Sequence, residues 1–297
     1  MNSNAAVLPR PNALSPLTLG CLTATWLIWG STYLAIRFAL LGFTPFFMMA
    51  TRFMVAGAVL LAWQLARGAT MPTAREWRNA LIIGTLMLGG GMGGTAYAEQ
   101  TVASSLVVSF IAVTPLILVL INLVFRVYPR RSELLAVSVG LIGVLMLTRG
   151  AGFHGSPAGL LAICIGCAGW SLGSVLSQRT LPLAPGATGF ASEMLCGGLA
   201  LLLVSGLSGE SWQLPTESVP WLAWIYLVVF GSLIAFNAYM LLLARTSTSL
   251  ASSYTLINPI VALFLGISLG HESVTPWEWS SAGVVMLGVG LLFAGRR

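Results

Sequence analysis

Residues 104–115 read SSLVVSFIAVTP and residues 248–259 read TSLASSYTLINP. Laid over one another at an offset of 144, they pair Ser104 with Thr248, Ser105 with Ser249, Leu106 with Leu250, Ser109 with Ser253, Phe110 with Tyr254 and Pro115 with Pro259. The same shift lays Trp26 on Trp170, Gly30 on Ser174 and Tyr33 on Ser177. Nearby offsets pair Ala96-Tyr97 with Ala238-Tyr239 and Gly143-Val144 with Gly288-Val289. Two copies of one unit account for this pattern, and the chain divides into a polar tail (1–16), a first unit (17–150) and a second (151–297).

Both repeated stretches are uncharged, and their surrounding sequence is apolar. Of 297 residues, 57% are hydrophobic and 7% charged, with mean hydropathy +0.91; a soluble domain carries roughly 25% charge. A bilayer-spanning helix needs about 20 apolar residues. Runs of that kind cover roughly 17–40, 45–66, 80–98, 102–125, 134–147, 157–178, 189–207, 219–243, 250–269 and 274–294. The first is too long for a signal-peptide core and has no small-residue cleavage site. The expected fold is therefore an all-α membrane protein of ten transmembrane helices, five in each unit.

Arginine placement orients the spans. All 14 cationic side chains are arginine and all 8 anionic ones glutamate. With the N-terminus in the cytoplasm, that side holds Arg10, Arg67, Arg75, Arg78, Arg126, Arg130, Arg131, Arg179, Arg245, Arg296 and Arg297, while the opposite loops hold Arg149. The positive-inside rule then puts both termini in the cytoplasm. A five-span unit leaves the membrane on the side opposite to its entry, so its second copy is inverted. Inverted repeats are a transporter architecture, in which one half rocks against the other around a site near the bilayer midplane.

The string Trp29-Gly30-Ser31-Thr32-Tyr33 through Arg37, the Arg52-Phe53 of span two and the two proline-bearing spans resemble the EamA family of the drug/metabolite transporter superfamily. The likeness covers residues 17–295 and is greatest to one group of exporters. It implies a central cavity lined by spans one, three, four, six, eight and nine, with spans five and ten outside. It also implies efflux of small metabolites, amino acids or drugs across a bacterial inner membrane, with no cofactor.

Several residues are candidates for such a cavity. Trp26, Gly30, Tyr33 and Arg37 recur at i, i+4, i+7 and i+11, one face of span one, and Trp170, Ser174 and Ser177 form the matching face of span six. Ser105 and Ser109, with Ser249 and Ser253, hold equivalent faces of spans four and nine. Tyr97, Asn237, Tyr239, Tyr254 and Asn258 add hydrogen-bonding groups. Helix packing is the competing reading of the small and hydroxylated positions. Pro115 and Pro259 each remove a backbone donor within a span and are candidate kinks. The glycines Gly89-Gly90-Gly91 and Gly93-Gly94 make span three thin.

Charges in the hydrocarbon layer are functional candidates. Arg52 and Glu193 each lie about seven residues into their spans, from opposite faces, so about 10 Å from their own surfaces. Their depths differ, and a direct pair is not expected. A network of Arg37, Arg52 and Glu99 near the outer face is. Glu193 is the candidate carrier of a coupling proton, since a low-dielectric site disfavours the charged carboxylate; a permanent structural hydrogen bond is the alternative.

Other classes fare worse. Without lysine or aspartate there is no P-loop, Schiff base or aspartyl dyad. Ser174 beside Gly173 is the nearest thing to a nucleophile, but His154 and His271 fall in outer loops. Cys21, Cys164, Cys167 and Cys196 lie in apolar runs, with no histidine near the Cys164-x-x-Cys167 pair, so no metal site is expected. The arginines are scattered, which argues against nucleic acid. No pore ring of a channel is visible. A sugar-phosphate or nucleotide-sugar exchanger is the alternative within transport, although such anions call for more basic groups than Arg52 and Arg37.

Overall fold

The computed structural model describes residues 15–102, 107, 110–112, 114–148, 156–270 and 276–294. Ser105, Ser109, His154, His271, the tail through residue 14 and the side chain of Ser249 lie outside the described residues. The described residues form long helices joined by short loops: α1 (Pro16–Ala39), α2 (Pro45–Ala66), α3 (Ala74–Ala98), α4 (Thr114–Val124), α5 (Arg131–Thr148), α6 (Pro157–Arg179), α7 (Ala187–Leu207), α8 (Ser218–Arg245), α9 (Tyr254–Gly270) and α10 (Pro276–Ala294). Six of these, α1, α2, α3, α6, α7 and α8, are long and apolar enough to cross a membrane.

Local chemistry sets the helix starts. Ser15 and Ser156 cap α1 and α6, each accepting a backbone N–H, and each is followed by proline at the first helical position, where a missing donor costs nothing. Helix α3 begins at Ala74, earlier than its apolar run, because Thr73 and Glu76 form a reciprocal capping box that satisfies two orphan donors. Arg75 and Arg78 are thus on the first turns of α3 rather than in a loop. The run expected as span nine is broken: a short turn, Thr248–Ala251, precedes α9. Pro259 lies inside α9. Pro115 is the second residue of α4 as described, where its fixed φ suits a first turn.

Helix packing follows the glycines. A Cβ on Gly57 would sit 2.9 Å from the Ala191 carbonyl, and one on Gly84 2.8 Å from the Gly197 nitrogen. α7 is thereby drawn backbone-to-backbone against α2 and α3. Gly288 of α10 meets the Gly140 backbone of α5 in the same way. The main pairings recur with the halves exchanged: α2 packs on α7 and α5 on α10, α1 packs on α8 and α9, and α6 packs on α3 and α4. The outward faces carry Leu27, Val59, Trp63, Leu203, Leu207 and Leu222, all exposed and suited to lipid.

One end of the bundle is marked by Phe46, Gly93 and Leu201, which meet there, and by the Thr101–Ser156 hydroxyl pair at 2.7 Å. Phe46 and Phe47 N–H groups both donate to the Glu210 carboxylate, at 3.0 and 2.8 Å. This carboxylate caps α2 from the α7–α8 loop, replacing the side-chain bond that the N-cap Thr44 does not make. The opposite end carries the exposed Arg67, Arg75, Arg78, Arg179 and Arg245.

Candidate functional site

A cavity of about 50 Å³ lies between α1, α3, α6, the start of α4 and the start of α9. Helix α1 contributes Trp29, Thr32, Tyr33 and Ile36, and helix α6 contributes Ile163, Gly166, Cys167 and Trp170. Each set follows i, i+3, i+4, i+7, the stripe one helix face presents. Gly91, Met92 and Thr95 of α3, Ile111, Thr114 and Tyr254 add to the wall, which holds no charged side chain among the described residues. These positions occupy the ends of α1 and α3 and the beginning of α6, so the cavity lies in the half of the bundle away from the arginine-rich end.

Four aromatic rings close the cavity on the arginine-rich side. The Trp29 ring meets Trp170, Tyr239 and Tyr254 at centroid distances of 5.5, 5.2 and 4.6 Å. Tyr239 in turn meets Trp170 at 5.2 Å and Tyr254 at 5.6 Å. The edge-on and tilted geometries are those that aromatic quadrupoles favour. Hydrogen bonds fix the floor: Trp170 Nε1 donates to the Tyr239 hydroxyl at 3.1 Å, and that hydroxyl pairs with Ser174 Oγ at 3.0 Å. Trp29 Nε1 donates to the Gly231 carbonyl at 3.2 Å.

Of the residues singled out from sequence, Tyr33, Trp170 and Tyr254 line the cavity, and Tyr239 and Ser174 belong to its floor. Trp26 lies outside it: its Nε1 donates to Ser253 Oγ at 3.0 Å, binding α1 to the turn before α9. Gly30 gives room to Val261 of α9. Tyr97 stacks on Phe46 at 5.6 Å. Ser177 donates to its own helix at Ser174, and Asn237 to Leu233. Asn258 is buried beside the Tyr33 hydroxyl of the cavity wall, its amide outside strict hydrogen-bond geometry among the described residues. Trp29, Thr32, Thr95 and Cys167 were missed as lining residues. The signal for Trp29 was available, since it stands four residues before Tyr33.

The buried charges separate. Arg52 is 1% exposed; its Nε donates to Ser232 Oγ at 2.8 Å, its Nη1 lies 3.5 Å from Met49 Sδ, and its guanidinium is 4.8 Å from the Phe53 ring centroid. It fits because Gly231 has no side chain: a Cβ there would be 2.5 Å from Nη2. Of the expected grouping, Arg37 and Glu99 lie within electrostatic reach of each other while Arg52 is held elsewhere among the described residues. Arg52 turns across to α8, Arg37 is exposed at the end of α1, and Glu99 keeps both carboxylate oxygens buried without a hydrogen-bond partner, within electrostatic reach of Arg37. Glu193 is fully buried on α7, again with neither oxygen hydrogen-bonded among the described residues, and lies within electrostatic reach of Tyr239 and Cys196.

This arrangement sets aromatic faces around a small space of about 50 Å³. Ser174 does not resemble a nucleophile, because its hydroxyl donates to its own helix at the Trp170 carbonyl, 2.7 Å away.

Known proteins show the same framework. The EamA-like transporter family matches residues 17–149 and again 157–294. The inner membrane transporter YedA of Escherichia coli (strain K12) is 39% identical over 289 residues, covering 97% of this chain and 94% of that one. The S-adenosylmethionine/S-adenosylhomocysteine transporter of Chlamydia muridarum is 26% identical, covering 94% of this chain and 92% of its own. A crystal structure at 24% identity superposes with a TM-score of 0.77 over 95% of this chain and 99% of the other, showing the shared fold. The chain belongs to the EamA-like transporter family and is a multi-pass transporter of the inner membrane.

Proposed function

We propose that this transporter works by alternating access, as two inverted five-helix repeats with both termini cytoplasmic, and exports small metabolites, amino acids or drugs. The carrying observation is the position of the cavity: its described walls lie in the half of the bundle away from the arginine-rich end, and the Trp29, Trp170, Tyr239 and Tyr254 rings pack against one another toward that end. With arginines on the cytoplasmic side, that position supports reading the molecule as outward-facing. Its volume of about 50 Å³ accommodates a few waters, whereas a bound metabolite fills several hundred Å³, so loading requires the walls to part. The recurrence of helix pairings with the halves exchanged supports the repeat reading. Tags on both termini are expected in the cytoplasm and a tag between Glu210 and Glu217 outside it; an external N-terminus overturns the topology.

The uncharged lining speaks against sugar phosphates and nucleotide sugars. Aromatic faces suit ligands with flat or weakly hydrated cationic groups, which places S-adenosyl compounds beside amino acids and cationic drugs as candidates. Protons are the proposed coupling ion and Glu193 their carrier, because it is a buried carboxyl adjoining the cavity floor, with Tyr239 and Cys196 as the titratable groups in reach. Coupling needs a group whose proton affinity differs between the two facing states. The test is uptake into proteoliposomes of a labelled panel drawn from these classes, with and without a pH gradient. Glu193→Gln is expected to abolish gradient-driven accumulation and keep downhill exchange. Gradient-driven transport by that variant at the wild-type rate removes Glu193 from the coupling mechanism.

A further inference from the structure

Two of the long helices leave α-helical register at corresponding places. Residues Thr85–Met92 of α3 and Leu227–Phe236 of α8 are π-helical, and their starts are 142 residues apart, the offset that pairs Ala96-Tyr97 with Ala238-Tyr239. π turns are rare and mostly single, and they concentrate at functional sites. Segments of eight and ten residues in the middle of two spans are therefore held by what surrounds them.

The surroundings correspond as well. Just past each segment a side chain donates back to the carbonyl four residues earlier: Thr95 Oγ1 to Gly91 and Asn237 Nδ2 to Leu233, both at 2.9 Å. One tryptophan of the cavity wall rests on each segment. Trp29 donates its N–H to Gly231 at 3.2 Å, and Trp170 packs on Gly91, where a Cβ would be 2.9 Å from its Cε3. The two indoles touch each other edge to face. A residue from the opposite half completes each contact: Arg52 donates to Ser232, and the Glu193 carbonyl abuts Gly84, the residue before the α3 segment.

We propose that the two π segments are paired hinges, and that Trp29 and Trp170 are positioning residues that tie the register of each hinge to the contents of the cavity. The inference rests on the alternating-access reading above. Return of a π segment to α geometry expels the surplus residue and turns everything beyond it by about 100°. In α3 that turn carries Thr95 off the cavity wall and Tyr97 off Phe46. A ligand in the cavity, seated against the two indoles, contacts the two registers differently, which is the condition for shifting their populations. Because the indoles touch, a change at one hinge reaches the other.

Backbone hydrogen exchange in lipid nanodiscs, without any substrate, tests this. Amides of 85–92 and 227–236 are expected to exchange about tenfold faster than neighbouring turns of the same helices. Gly89 and Gly90 have no atom closer than 3.8 Å to a Cβ placed on them, so the Gly89→Ala/Gly90→Ala pair fits without a clash. It should slow exchange in α3 and, through the indole pair, also in α8, each by about threefold. Trp29→Phe keeps a ring but loses the bond to Gly231; it should speed exchange in α8 and abolish the response of α8 to the alanine pair. Should Trp29→Phe fail to fold, Trp170→Phe makes the same test from the α3 side, with the same loss of cross-response expected. Exchange at the rate of the flanking turns, or an alanine effect confined to α3, overturns the hinges. Coupled exchange in a protein that transports nothing from the panel removes the transport reading alone, whereas uncoupled exchange in an active transporter removes the hinges alone.

Discussion

The Trp170 indole N–H donates to the Tyr239 hydroxyl across 3.1 Å and so joins α6 to α8 in the floor of the cavity. The hydroxyl also pairs with Ser174, while the Tyr239 ring is wedged among Trp29, Trp170 and Tyr254. Tyr239→Phe keeps the ring and deletes both bonds, leaving a buried indole N–H unpartnered. A loss of about 1–3 kcal/mol is expected, read from unfolding in detergent. Ser174→Ala should cost less, since Tyr239 keeps its bond from Trp170. Equal midpoints for wild type and Tyr239→Phe would show that ring packing alone holds the floor.

Cys167 is a natural probe of the cavity, being a free thiol on its wall. In a protein whose other three cysteines are replaced, a small impermeant thiol reagent should label it from the arginine-poor side and leave it unmodified from the other. Tyr33→Cys and Tyr254→Cys in a background without native cysteines should follow the same asymmetry. Trp26→Cys should not, because that position faces the turn before α9. Equal labelling from both sides contradicts a closed aromatic floor.

Gly231 and Arg52 share one space. Gly231→Ala puts a methyl 2.5 Å from Arg52 Nη2, and overpacking of this kind costs about 1–3 kcal/mol. Arg52→Lys frees the planar guanidinium's volume, so the double variant should be less destabilised than the sum of the single changes. Strict additivity in that double-mutant cycle would mean that the two residues do not meet.

Glu210 holds the N-terminus of α2 through two carboxylate–amide bonds and receives a third from Ser205 Oγ at 2.7 Å. Glu210→Ala leaves those amides uncapped, for an expected loss of about 1–3 kcal/mol. Glu210→Gln keeps the shape and should recover part of it. Limited proteolysis at the α7–α8 loop is the local readout, and wild-type resistance in the alanine variant would assign the loop's order to Trp212 stacking on Phe47.

The membrane class, the long apolar helices and the family were legible because they depend on composition and on the order of short strings such as Trp29 to Arg37. A small part of the cavity wall was legible too. Tyr33, Trp170 and Tyr254 were found because a helical face repeats at fixed spacing, but periodicity marks a face without saying which neighbour it meets. Trp26 and Trp29 both fit the pattern of α1, and the bond from Trp26 to Ser253 against that from Trp29 to Gly231 is settled by where α8 and α9 come to rest. Arg52 parts from Arg37 and Glu99 for a related reason: depth along the helix axis is readable from residue number, whereas direction around the axis depends on the space a distant glycine leaves open.

By itself the sequence determined a helical membrane chain, since lipid admits only backbone that satisfies its own hydrogen bonds, and it offered a 144-residue offset that pairs like residues of its two parts. Only the tertiary structure decided the π register of α3 and α8. No local propensity favours so open a helix; it occurs where Trp29, Trp170, Arg52 and the carbonyl of Glu193, brought from other helices, meet the backbone.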